Sequence, residues 1–337
     1  GSAFNGCLFL RGLTAPTFLL LSGFSFSLST MHRWDSYAHL SRALWRRLGR
    51  FGSLVLLGYA LHLPGRSVQD FRTLDAAGWQ SWLQVDVLQC IGLTLMILQL
   101  LVLAARTHER FAILAVGLAI SVVATSPLVW AVDWSARLPY SIATYFNAHG
   151  GSLFPLFPWS AYIFTGAAAG CVWARCQANR RLLLARALPI GSPVLILTGL
   201  LLESVPISLY GNVDFWKTSP NLFLIRVGGV GLLLGIVGYV ERRLRIPGRA
   251  VRSLAQESLT IYFVHICVLY GSIWGPGMRQ WIGPTLAPLP ALGWILMLLV
   301  SMTLMGLGWN RIKRRRPEVS RWVVVSAMLA LTTAYSL

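Results

Sequence analysis

The sequence predicts an all-α integral membrane protein, a polytopic bundle of about ten transmembrane helices. Three observations predict it. Hydrophobic residues make up 55% of the 337 positions and charged residues only 12%, more apolar surface than a water-soluble fold can cover. Apolar stretches long enough to cross a bilayer recur along the whole chain. Most of the 29 Lys and Arg residues sit in five short segments wedged between those stretches, as they do in the cytoplasmic loops of membrane proteins.

Apolar runs read against their breakers place spans at 7–30, 51–63, 83–104, 111–132, 154–174, 188–205, 221–240, 257–274, 288–309 and 322–337. The first span leads into a loop at 31–50 with Arg33, Arg42, Arg46, Arg47 and Arg50. The second is the weakest, since its apolar part covers only about 20 Å at 1.5 Å per residue, and Arg50 snorkels to extend it. The third and fourth flank Arg106 and Arg110, and the fifth and sixth flank Arg175, Arg180, Arg181 and Arg186. Arg242, Arg243, Arg245, Arg249 and Arg252 separate the seventh from the eighth. The ninth and tenth enclose Arg311, Lys313, Arg314, Arg315, Arg316 and Arg321. Intervening loops hold only Arg66, Arg72, Arg137, Lys217 and Arg279, so alternation puts residue 1 outside the cytoplasm. An external start without a cleavable signal predicts at least one span upstream of Gly1. Small residues at Gly166 and Gly170, and at Gly231 and Gly235, predict close helix contacts within a single membrane domain over 1–337.

A net charge of +18 raises the question of nucleic acid, but the cations punctuate apolar spans and form no continuous stripe or nucleic-acid module. Cys7, Cys90, Cys171, Cys176 and Cys267 show neither a metal-ligand spacing nor a disulfide framework, and no P-loop or metal cluster occurs. The expectation is a protein without metal or nucleic-acid partner, held in a lipid bilayer such as the inner membrane of a bacterium.

Ionisable groups inside spans are expensive and mark candidate sites. Arg11, Asp86, Glu203 and Arg226 fall one or two turns inside the outer ends of their spans. They fit either a neutral cluster facing an external cleft or, for the arginines, snorkelling to the interface. Asp86 and Gln89 share a helical face that suits either a polar ligand or an interhelical clamp. Asn147 and His149 precede the proline-broken entry Leu153 to Trp159, whose aromatic residues match an interfacial belt. His265 lies near mid-membrane on a helix that Glu257 opens; it fits a proton relay or donor-orienting role, or a neutral imidazole bonded to a neighbouring helix.

Asn5-Gly6, Arg11 to Phe18, Leu21 to Phe24, Val85 to Leu93, Phe154 to Trp159 with Gly166, and Ser258 to His265 together resemble the heparan-α-glucosaminide N-acetyltransferase-like family of transmembrane acyltransferases. The resemblance implies acetyl transfer from cytosolic acetyl-CoA to a sugar or amine of an envelope glycan or lipid-linked sugar. It implies a general base for the acceptor, polar donors for the thioester oxyanion, and cations for the donor phosphates, for which Arg242, Arg243, Arg245 and Arg249 are candidates by charge. The family's catalytic histidine precedes the segment matching Asn5 to Pro16, whereas here the first histidine is His32, in a predicted cytoplasmic loop. His149 is the candidate substitute, with Asp86 and His265 as further catalytic candidates. Arg11, Gln89, Asn147, Glu203 and Arg226 are the substrate-binding candidates. Two other classes fit the same residues: a transporter or flippase with Asp86, Glu203, Arg226 and His265 along its path, and a non-catalytic membrane partner.

Overall fold

The computed structural model describes residues 2–65, 67–176, 188–205, 210, 214–244, 248–272, 275–283, 285–320, 322–323 and 326; the side chains of residues 2–11, 68, 242, 244, 272 and 275 lie outside the described set. In chain order the helices are α1 Ser2–Met31, α2 Trp34–Tyr37, α3 Arg42–Leu61, α4 Val68–Arg72, α5 Ala76–Leu83, α6 Val87–Ala105, α7 His108–Trp130, α8 Tyr140–Ala143 and α9 Leu156–Arg175. They continue with α10 Leu188–Ser204, α11 Phe215–Thr218, α12 Pro220–Leu244, α13 Gly248–Gln256, α14 Ser258–Tyr270, α15 Met278–Ile282 and α16 Pro288–Arg315. Among the described residues the only strands are a two-residue antiparallel pair, Gly271–Ser272 with Gly275–Pro276. The chain is an all-helical membrane protein. Among the described residues five helices are long and apolar enough to cross a bilayer: Gly12–Met31, Val87–Ala105, His108–Trp130, Pro220–Glu241 and Pro288–Arg315. Leu188–Ser204 and Ser258–Tyr270 are apolar but shorter.

Besides these two shorter helices, two more of the expected spans fold as helices that do not stand among the five, for different reasons. α3 carries Arg42, Arg46, Arg47 and Arg50, because the segment read as a basic loop is helical from Arg42 onward. α9 is surrounded by protein: Ser160, Ala161, Tyr162, Ile163, Phe164, Ala167 and Cys171 are all buried, so its small and polar residues face neighbours instead of lipid. The expected tenth span, 322–337, lies almost wholly outside the described residues.

The chain folds into two compact units, one comprising 1–59 and 83–243 and the other 60–82 and 244–337. In the first, α9 packs against α1, α6 and α7. The α1–α9 seam brings backbone against backbone. A methyl at Gly166 would overlap the Leu20 carbonyl, one at Gly23 the Ile163 carbonyl, and one at Gly170 the Phe24 carbonyl and the Ser27 side chain. Glycine is the residue that lets two helix axes approach this closely. The same device joins α3 to α6 at Gly92, which meets Phe51 and Val55, and α10 to α12, where Gly228 and Gly231 meet Ser192.

α6 and α7 turn sharply through Arg106, whose φ of 58° is left-handed, and Thr107 then caps α7 by accepting from the Arg110 N–H at 3.3 Å. In the second unit, α14 and α16 pack through Gly306, where a methyl would press on Ile261. The apolar residues of α16 are almost entirely uncovered, among them Leu289, Leu292, Ile295, Leu296, Leu299 and Val300, which is the surface a lipid-facing helix presents.

The seam yields a paired expectation. Gly166→Ala should cost roughly 1–3 kcal/mol, read as a lower thermal midpoint in detergent. Gly117→Ala on α7, where a methyl meets nothing within 4 Å, should leave the midpoint unchanged or raise it. Equal midpoints for the two variants would show that the α1–α9 approach is not close.

Candidate functional site

The candidate site of the first unit gathers where the start of α6, the 131–155 connection, the start of α9 and the first turns of α12 meet. An extended strand-like stretch leads into α6: Val85 N–H donates to Ser152 Oγ at 2.9 Å, and Leu153 and Phe154 N–H both donate to the Val85 carbonyl at 3.0 Å. These bonds pin the start of α6 to the segment before α9. Asp86 then caps the helix, its Oδ1 accepting from Val87 N–H at 2.7 Å while Gln89 Oε1 accepts from Asp86 N–H at 3.1 Å. Both side chains are buried, and their polar atoms serve a reciprocal capping box. The pair expected to face a ligand or clamp another helix is therefore engaged in ending its own helix. The Asp-x-x-Gln spacing was the available sign of it.

Asn147 is also buried and used locally: its Nδ2 donates to the Val132 carbonyl at 2.8 Å and its Oδ1 accepts from His149 N–H at 3.2 Å. That amide holds the loop that presents His149, whose exposed ring stands 6.4 Å from Trp130. Trp130 in turn donates through Nε1 to the Phe157 carbonyl at 2.8 Å, and Phe146 stacks between Trp134 and Phe157. His149 has an acidic neighbour in Asp133. The Ser135 hydroxyl holds the Asp133 carboxyl below the usual carboxylate range, and the His149 charge adds in the same direction.

Arg226 is the outstanding feature of this unit. It is half-buried, its guanidinium 5.8 Å from the centre of the Trp159 ring, in contact with the Tyr162 hydroxyl, and close to the open side of Gly12. Around it runs an aromatic ladder, Phe154–Trp159–Tyr162–Phe223, with successive ring centres 4.8, 5.9 and 4.6 Å apart. Among the described residues no carboxylate forms an ion pair with Arg226. Glu203 is exposed and accepts from Asn221 Nδ2 at 2.8 Å. The expected neutral cluster is thus not assembled as ion pairs among Asp86, Glu203 and Arg226, and the Arg11 side chain lies outside the described residues. Arg226 is left as a cation among aromatic faces, an arrangement that holds the polar and anionic edges of a ligand while stacking its apolar face.

His265 belongs to the second unit, on α14. Its Nδ1 lies 3.2 Å from the Ile261 carbonyl of its own helix, beside the Tyr262 ring. Among the described residues its hydrogen-bond partner is this carbonyl, one turn back along α14. Of the cationic donor candidates, Arg243 stacks near Tyr239 and Arg249 is exposed on α13; the Arg242 side chain and Arg245 fall outside the described residues. Among the described residues no three His, Cys, Asp or Glu are grouped to hold a metal ion.

Two buried charges gave no sign in the sequence. Arg47 is 4% exposed; its Nη2 donates to the Phe26 carbonyl, Ser29 Oγ and Thr30 Oγ1 at 3.2, 3.1 and 2.9 Å, with Phe26 and Tyr37 rings stacked on the guanidinium. It closes the C-terminal end of α1, where a cation complements the helix dipole. Glu257 is buried at the start of α14 and accepts from Lys313 Nζ at 2.8 Å and from Asn310 Nδ2 at 3.2 Å.

The cap can be separated from any chemistry at Asp86. Asp86→Ala should cost about 1 kcal/mol, whereas Asp86→Asn keeps a capping oxygen and should keep the thermal midpoint. Turnover by a stable Asp86→Asn protein then reports on the charge alone.

A family model described as heparan-alpha-glucosaminide N-acetyltransferase, catalytic, matches residues 2–202, which include α1, α6, α7 and α9 and the Asp86, Asn147, His149 and Trp159 positions. No curated protein and no solved structure matches the chain.

Proposed function

The chain belongs to the heparan-alpha-glucosaminide N-acetyltransferase catalytic family, and from that premise we propose that it moves an acetyl group from acetyl-CoA to the amine or hydroxyl of a sugar. The family match over more than half of the chain carries this reading. The family's donor is acetyl-CoA and its acceptor a sugar, and the apolar helices support a reaction carried out by a membrane protein. In the proposed direction the donor is cytosolic and the acceptor is an envelope glycan or lipid-linked sugar on the far side, which is what the arginine-rich segments imply through the positive-inside pattern.

The residues of the first unit divide the work as follows. The acceptor ring stacks on the Trp159 end of the aromatic ladder, with Arg226 holding its polar edge. His149 accepts the proton of the attacking amine or hydroxyl, with the Asp133 carboxyl as its acidic neighbour. The acceptor atom bonds to the thioester carbonyl carbon, the carbon–sulfur bond breaks, and the thiolate of coenzyme A leaves and takes up a proton. Asp86, Gln89 and Asn147 position this machinery through the bonds that fix the start of α6 and the His149 loop.

The test is transfer of radiolabelled acetyl from acetyl-CoA to glucosamine and other amino sugars by the protein in proteoliposomes. Labelled sugar is expected, and Arg226→Gln should raise the acceptor KM roughly ten-fold, the loss of one charge-assisted contact, with a smaller effect on kcat. His149→Ala should lower kcat by about 10²-fold or more. Sugar that crosses the membrane without gaining acetyl would mean a transporter instead.

A further inference from the structure

We propose that the cleft between α13 and the last turns of α16 binds a phosphate group carried on a larger ligand. Arg249, Arg252, Ser253 and Gln256 stand at i, i+3, i+4 and i+7 on one face of α13, and Arg314 of α16 completes a cavity of about 660 Å³ with them. Each lining residue offers a hydrogen-bond donor. Three are guanidinium groups and one a hydroxyl, and the Gln256 carbonyl oxygen is already taken by Asn310 Nδ2 at 3.2 Å, which leaves its NH₂ as the end open to a ligand.

Among the described residues no carboxylate lines the cavity. Glu257, next in sequence to Gln256, is buried and turned towards Lys313 and Asn310, so it neutralises Lys313 and none of the arginines. Among the described residues Arg249, Arg252 and Arg314 enter no ion pair. Three like charges gathered on one cleft repel one another, and an anion of more than one charge turns that repulsion into attraction. Phosphate oxygens match the forked guanidinium donors two at a time. The volume falls within the roughly 300–1,000 Å³ of ordinary ligand pockets and exceeds what one inorganic phosphate fills. The phosphate therefore arrives on a nucleotide or on a phospholipid headgroup. These residues lie beyond the matched segment 2–202. The nucleotide source rests on the acetyl-CoA reading above; phosphate binding itself does not.

Equilibrium binding to the full-length protein in detergent tests this without any acceptor sugar, so its outcome is separate from that of the transfer assay. Coenzyme A is titrated by calorimetry, and phosphatidylglycerol against phosphatidylcholine is measured by native mass spectrometry. At least one phosphate probe should bind, more weakly as salt rises, and Arg252→Gln and Arg314→Gln should each weaken it roughly ten-fold or more while leaving the thermal midpoint unchanged. Coenzyme A binding identifies the nucleotide source, and selective phosphatidylglycerol binding the headgroup. Binding of neither probe, or affinities unchanged in both variants, overturns the proposal even if acetyl transfer is observed.

Discussion

The first unit depends on a contact between two backbones. Gly23 on α1 and Gly166 and Gly170 on α9 remove the side chains that would hold the two helices apart, and each opens onto a carbonyl of the other helix. In a membrane the driving force for this approach is packing, because lipid solvates an apolar helix surface as well as another helix does. Once α9 is seated on α1, its other faces are covered by α6 and α7, and Trp159 and Tyr162 at its beginning are brought to the Arg226 end of α12. The aromatic ladder is thus a consequence of where the glycines put α9.

Charge is the second constraint, and the two units handle it differently. Among the described residues Arg47 is buried without a carboxylate, held by the carbonyl and hydroxyl groups that end α1 and by two aromatic faces. Glu257 is buried with Lys313 and Asn310 around it. Removing one member of such a set leaves a charge with no water to solvate it, so these residues fasten helix ends. Arg226 and the Arg249–Arg252–Arg314 group differ in having no ion-pair partner among the described residues, which is why chemistry is assigned to them.

Apolar runs and basic knots made most of the helices legible, because lipid demands long apolar segments and lets charge collect only between them. The same criterion misplaced Arg42 to Arg50, since a helix does not stop where its residues become basic. It read α9 as a span at 154–174 without showing that its neighbours are protein, and it started the third span at residue 83, before the Asp86 cap that fixes Val87 as its first residue. Gly166 and Gly170 were legible as packing residues, but their partner helix was not, because spacing shows a face and not what meets it. At the candidate site the residue types were visible and their bonds were not. Asp86 and Gln89 read as a pair for a polar ligand or an interhelical clamp, to which the structure adds their reciprocal cap, and Trp159 read as part of an interfacial belt, to which it adds Arg226 5.8 Å from the ring.

The α1–α9 seam can be interrogated in the membrane itself. The Ser27 hydroxyl of α1 lies against the Cys171 thiol of α9. In a protein whose remaining cysteines, Cys7, Cys90, Cys176 and Cys267, are replaced by alanine, Ser27→Cys should form a disulfide with Cys171 on mild oxidation of isolated membranes. The expected result is loss of both thiols to alkylation under denaturing conditions and its recovery by reductant. Two thiols that stay fully alkylatable after oxidation would contradict the seam, and with it the position of every residue that α9 carries.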